Sequence, residues 1–124
     1  MKGLNVLLTK ENRAKICDFG ASKLKSLTSM TLAGPQIAGT NGYQAPELFD
    51  KGGKTNKQTD VFSLGMVLWE LTSFSTPFED CTNPTQVHLA MMSKISTKEH
   101  ILPIPASAHP VLKKWILACW KYIP

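Results

Sequence analysis

Short apolar runs separated by polar turns open the chain: Val6-Leu7-Leu8, then Thr9-Lys10-Glu11-Asn12, then Ala14-Lys15-Ile16-Cys17. Runs of this length bounded by turn formers predict two strands joined as a hairpin. From 21 to 42 the chain is rich in Ser, Thr, Gly and Lys with no sustained period, which predicts one long, mobile loop. Loops that long inside a compact domain are functional or disordered. From Asp60 to Leu71 nearly every position is apolar, including Val61, Phe62, Leu64, Met66, Val67, Leu68 and Trp69. A segment apolar nearly all round predicts a helix buried on most faces, the centre of the core. Asn83-Pro84 supplies an N-cap and a first-turn proline, and Val87, Met91 and Ile95 then recur every four residues, which predicts a second helix. Pro103 and Pro105 mark an extended connection, after which Pro110 opens a third helix with Leu112, Trp115, Ile116, Cys119 and Trp120 on one stripe. The predicted fold class is mainly α with a small β-hairpin, with no internal repeat and no interdomain linker.

At 124 residues and 43% hydrophobic, the chain has the material for one core and one domain or a large piece of one. The longest apolar stretch, Val61 to Trp69, falls well short of the roughly 20 residues a membrane span needs. The N-terminus lacks the longer apolar region and cleavage site of a secretory signal. Cys17, Cys81 and Cys119 are widely spaced and form no C-x-x-C pair, so reduced thiols in a cytoplasmic setting are expected. The formal charge of +5 comes almost entirely from scattered lysines, with Arg13 the only arginine, which argues for a solvated surface rather than a nucleic-acid site.

Asp18-Phe19-Gly20 follows directly on the second strand, and Ala45-Pro46-Glu47 closes the polar loop. Either tripeptide alone is weak, but in this order, spacing and context the pair resembles the eukaryotic protein kinase signature set. Lys2-Gly3-Leu4-Asn5 resembles the end of the kinase catalytic loop, and Thr59-Asp60-Val61-Phe62-Ser63-Leu64-Gly65 the start of that family's central buried helix. Cys119-Trp120 resembles a late-helix motif of the tyrosine-kinase-like group. The resemblance covers essentially all of 1–124 and implies one partial kinase domain, a kinase-like fold holding part of the C-terminal lobe and no N-terminal lobe.

The activity that the resemblance implies is transfer of the ATP γ-phosphate to protein Ser/Thr hydroxyls, a reaction that asks for positioning and charge neutralisation rather than covalent chemistry. In that reading Asn5 and Asp18 hold Mg2+ on the phosphates of ATP as hard oxygen ligands, their separation set by the hairpin. Lys2 neutralises the transferred phosphate, Leu7 floors the adenine ring, and Cys17 faces the nucleotide pocket. Phe19 packs beneath as the active/inactive switch, and Gly20 permits the backbone turn that swings it. Thr40, within Gly39-Thr40-Asn41-Gly42-Tyr43, resembles the substrate-facing threonine of serine/threonine kinases, where tyrosine kinases carry proline. Ser26, Thr28, Ser29 and Thr31 are candidate phosphorylation sites in the activation segment. Glu47 and Asp60 are structural in this reading, Asp60 bonding backbone amides of the catalytic loop.

Each residue also has a plainer reading. Asp18 and Asn5 are turn formers, Lys2 belongs to a solvated tail, and the loop hydroxyls merely solubilise. Leu7 is a core residue under both readings, Cys17 a small core hydrophobe, and Asp60 an ordinary N-cap. His88, His100 and His109 have no mutual spacing for a metal or a triad and read as surface or packing residues.

The chain also departs from the family. No glycine-rich loop, Val-Ala-Ile-Lys strand or His-Arg-Asp occurs in it, and Glu47 lacks the late-helix arginine that family members pair with it. The expectation is a lobe cut at both ends, as in an incomplete gene model or a truncated duplicate. Two functions follow: a serine/threonine kinase in its full-length form, with protein substrates, or a non-catalytic, pseudokinase-like remnant acting as an interaction module.

Overall fold

The computed structural model describes residues 1–17, 42–49 and 53–121. A 3-10 turn at Gly3–Asn5 leads into strand β1, Val6–Leu8, which pairs antiparallel with β2, Ala14–Ile16. Val6 lies opposite Ile16, Leu7 opposite Lys15, and Leu8 opposite Ala14. The turn between them is fixed by Thr9: its N–H donates to Arg13 O at 2.9 Å, and its hydroxyl oxygen accepts from the N–H groups of Glu11 and Arg13. Asn12 takes the left-handed conformation, φ 59°, that asparagine tolerates better than most residues.

A second 3-10 turn, Pro46–Phe49, precedes the long helix α1, Lys57–Ser73. Helix α1 starts one turn earlier than the apolar run, because Asn56 and Thr59 form a reciprocal cap. Asn56 Oδ1 accepts from Thr59 N at 2.9 Å, and Thr59 Oγ1 accepts from Asn56 N at 3.1 Å. Asn56 is therefore the N-cap, and Asp60 sits inside the first turn, where its carboxylate complements the positive end of the helix dipole. Nor is α1 buried on most faces: Phe62, Met66, Val67 and Trp69 turn inward, whereas Val61, Leu64 and Leu71 are exposed. The helix ends at Phe74, a left-handed C-cap whose ring is 92% exposed.

Helix α2, Pro84–Ser96, starts at the expected cap, Asn83 accepting from Gln86 N at 3.0 Å, and buries Val87 and Met91. Helix α3, Pro110–Cys119, is capped by His109, whose Nδ1 accepts from Val111 N. Its buried stripe is narrower than the sequence suggested. Ile116 and Trp120 are buried one turn apart, while Trp115, one residue off that line, is 54% exposed.

The core forms where α1 packs against α3, with Met66, Met91 and Ile116 fully enclosed. Gly65 makes the close approach possible: a methyl there would lie 2.7 Å from Cys119 Cβ and 2.9 Å from the Trp120 ring. Trp69 Nε1 donates to Pro103 O at 2.8 Å and ties α1 to the proline-rich connection. Among the described residues, no helix is long and apolar enough to cross a membrane.

Candidate functional site: the hairpin, the buried helix and the segment at 42–49

The hairpin's open end, opposite the turn at 9–13, delivers Asn5. Asn5 N donates to Lys2 O at 2.9 Å, closing the 3-10 turn, and Asn5 O accepts from Cys17 N at 2.8 Å, extending the ladder one position past β1. Asn5 thus stands across from Cys17, the residue before Asp18. Its side-chain amide has no hydrogen-bond partner among the described residues, which leaves a hard oxygen donor of the kind magnesium accepts. Lys2 is half-buried, and its side chain likewise has no partner there. Asp18, Phe19, Gly20, Ser26, Thr28, Ser29, Thr31 and Thr40 lie outside the described residues.

Leu7 is 55% exposed, so it is not a core residue. The reason is architectural: the two-stranded ribbon has little packed on either face among the described residues, so Leu8 and Ile16, on the face opposite Leu7, are exposed too. Cys17 is half-buried. Asp60 is exposed, and its carboxylate makes no bond among the described residues. Glu47 is half-buried with no ion pair among them, and its carbonyl packs so closely against Gly53 that a side chain on Gly53 would strike it.

Three residues that carry the geometry were not singled out by the sequence. Glu70, near the end of α1, presses its carboxylate against Gly3, where a side chain on Gly3 would otherwise stand. One carboxylate oxygen, Oε2, is buried without a hydrogen-bond partner among the described residues. Tyr43 is buried, and burial first, then the nearby Glu70 carboxylate, push its phenol well above the ordinary tyrosine range. Ser63, a polar residue within the apolar run, is buried with its hydroxyl 2.8 Å from Tyr43 O and 3.0 Å from Thr59 O. Helix α1 therefore touches the turn bearing Lys2 and Asn5 through Glu70, and the segment at 42–49 through Ser63. The available signal was a polar residue on an otherwise apolar helix, which needs a partner when buried.

The histidines do not converge. His88 packs its ring against Phe49 with centroids 5.1 Å apart, and His109 caps α3.

Comparison with known proteins supplies the family. Serine/threonine-protein kinase CTR1 of Arabidopsis thaliana is 36% identical over 124 residues, 100% of this chain and 14% of that protein. Serine/threonine/tyrosine-protein kinase HT1 of the same plant is 37% identical, again over 100% of this chain and 30% of its own length. Mitogen-activated protein kinase kinase kinase zak-1 of Caenorhabditis elegans is 36% identical over 100% of this chain and 16% of its own. The chain thus spans less than a third of these relatives. With the protein kinase domain matching residues 1–124 throughout, the chain belongs to the protein kinase family, in the tyrosine-kinase-like group of its serine/threonine members.

Proposed function

We propose that this chain forms the nucleotide floor and substrate-facing part of a kinase lobe that, within its full-length protein, transfers the ATP γ-phosphate to protein Ser/Thr hydroxyls. The observation that carries the reading is the 2.8 Å bond from Cys17 N to Asn5 O, which seats Asn5 across the ribbon from the residue preceding Asp18. An amide oxygen and a carboxylate are ligand types that suit Mg2+, which when bound would neutralise phosphate charge. Asn5 and Asp18 offer the oxygens, and Lys2 extends an ammonium toward the transferred phosphate. Leu7, uncovered on its outer face, offers an apolar floor to the adenine ring, with Cys17 beside it. Thr40 supplies the substrate-facing hydroxyl that the resemblance to serine/threonine kinases implies. Phe19 and Gly20 are the switch, and phosphorylation of Ser26, Thr28, Ser29 or Thr31 orders the activation segment. Glu47 and Asp60 are structural in this reading, Asp60 by complementing the positive end of the α1 dipole.

The 124 residues by themselves are expected to give no phosphotransfer, because the family's general base and phosphate-binding lysine are not among them. Binding is the direct test. A fluorescent ATP analogue should bind in the presence of Mg2+ and lose affinity with EDTA or with Asn5→Ala and Asp18→Ala. Binding indifferent to both changes favours the interaction-module reading instead.

A further inference from the structure

A cavity of about 290 Å3 opens between Gly42, the α1–α2 connection and the first turn of α2, lined by Gly42, Thr76, Pro77, Phe78, Glu79, Cys81 and Val87. Its size is at the lower edge of pockets that hold a whole small molecule, and suits one long side chain. Two features show that the backbone is held there. A side chain on Gly42 would come within 2.6 Å of Pro77 O, so the wall of the cavity is locked against the segment at 42–49. Phe78 adopts a left-handed backbone, φ 55°, a conformation costly for a bulky residue that persists where surroundings over-determine it, often at ligand clamps.

The chemistry of the lining is two-sided. Pro77, Phe78, Cys81 and Val87 give apolar walls, with Val87 buried, and Glu79 puts a carboxylate at the exposed rim. Among the described residues Glu79 has no ion-pair partner, and Asp80 stands beside it, on a chain whose net charge is +5. An apolar slot with a carboxylate at its rim matches an aliphatic stem that ends in a cation. We infer that this cavity receives a single Arg or Lys side chain of the protein substrate, the stem lying on Phe78 and Val87 and the charged head meeting Glu79. The inference deepens the kinase reading by naming a class of substrate sequence, and it rests on that reading for the word substrate.

The test uses the 124-residue chain and a fluorescein-labelled decapeptide holding one Ser and one Arg, compared by anisotropy with the same peptide carrying citrulline, Arg's neutral isostere. Arginine should bind about fivefold tighter, the scale of one rim ion pair, with the preference shrinking at high salt. Glu79→Gln should erase the preference, and Thr76→Trp, an exposed position at the mouth, should weaken both peptides by occlusion. Equal affinities for the two peptides, or a preference that survives Glu79→Gln, overturns the inference; should Thr76→Trp not fold by circular dichroism, Glu79→Gln alone decides. Magnesium-dependent binding of the ATP analogue is read on the same samples. If it persists without an arginine preference, only the cavity's role fails, and if it is absent, the kinase reading fails separately.

Discussion

Gly65 of α1 and Trp120 at the end of α3 share one volume: an added methyl at Gly65 would sit 2.9 Å from the indole ring. Helix α1 can lie this close to α3 only because one side of that contact is bare backbone. Gly65→Ala should therefore cost about 1–3 kcal/mol, since the ring and Cys119 Cβ cannot swing aside. Gly3→Ala should cost less than about 1 kcal/mol, because what it meets is the end of a flexible glutamate. Chemical denaturation of the two variants checks the order.

The two inward tryptophans differ in one bond. Trp69 Nε1 donates to Pro103 O, whereas Trp120 Nε1 is buried without a partner among the described residues. Trp69→Phe should thus cost about 1 kcal/mol more than Trp120→Phe, because it strands a carbonyl that the second change does not. Equal losses in urea melts would contradict the assignment.

Phe74 spends a left-handed backbone and an almost fully exposed ring on a position that glycine usually fills at a helix end. Phe74→Gly should raise stability by roughly 0.5–1 kcal/mol and reduce binding of a hydrophobic dye. A lower melting temperature would show that the ring has a packing role.

Alkaline pH should weaken the fold. Burial raises the Cys119 thiol, and burial with Glu70 raises the Tyr43 phenol, so both hold their protons longer folded than unfolded. Above the ordinary thiol value near ~8.5 the unfolded chain has lost protons that the native chain keeps, so stability is full below that pH and falls as pH rises. Cys119→Ala should remove the first part of the decline, measured as melting temperature from pH 7 to 10.

The caps show how much of this was legible. Asn83-Pro84 and Pro110 announced α2 and α3 because capping is local chemistry, readable three residues at a time. Helix α1 was placed a turn too late because its first turn, Lys57-Gln58-Thr59, is polar, with Lys57 and Gln58 exposed, and the apolar run begins only after it. Trp115 was assigned inward because a five-residue apolar stripe spans more of the helix than α3 buries. In the site, the hairpin followed from short apolar runs around a polar turn, and Asn5 was singled out only by the resemblance of Lys2-Gly3-Leu4-Asn5 to the kinase catalytic loop; Leu7's exposure did not follow, since an apolar strand does not say whether anything lies on it. Glu70, Tyr43 and Ser63 were invisible because their meanings arise from contacts across 20 residues or more.

Ser63 grips Tyr43 by its main-chain carbonyl and by no part of its side chain. Such an anchor is blind to the side chain at position 43, so the height of this backbone above the helical pillar is set by the helix and not by the phenol. Orientation of the segment and occupancy of the pocket beside Glu70 are thereby two separate tasks, done by different atoms of one residue.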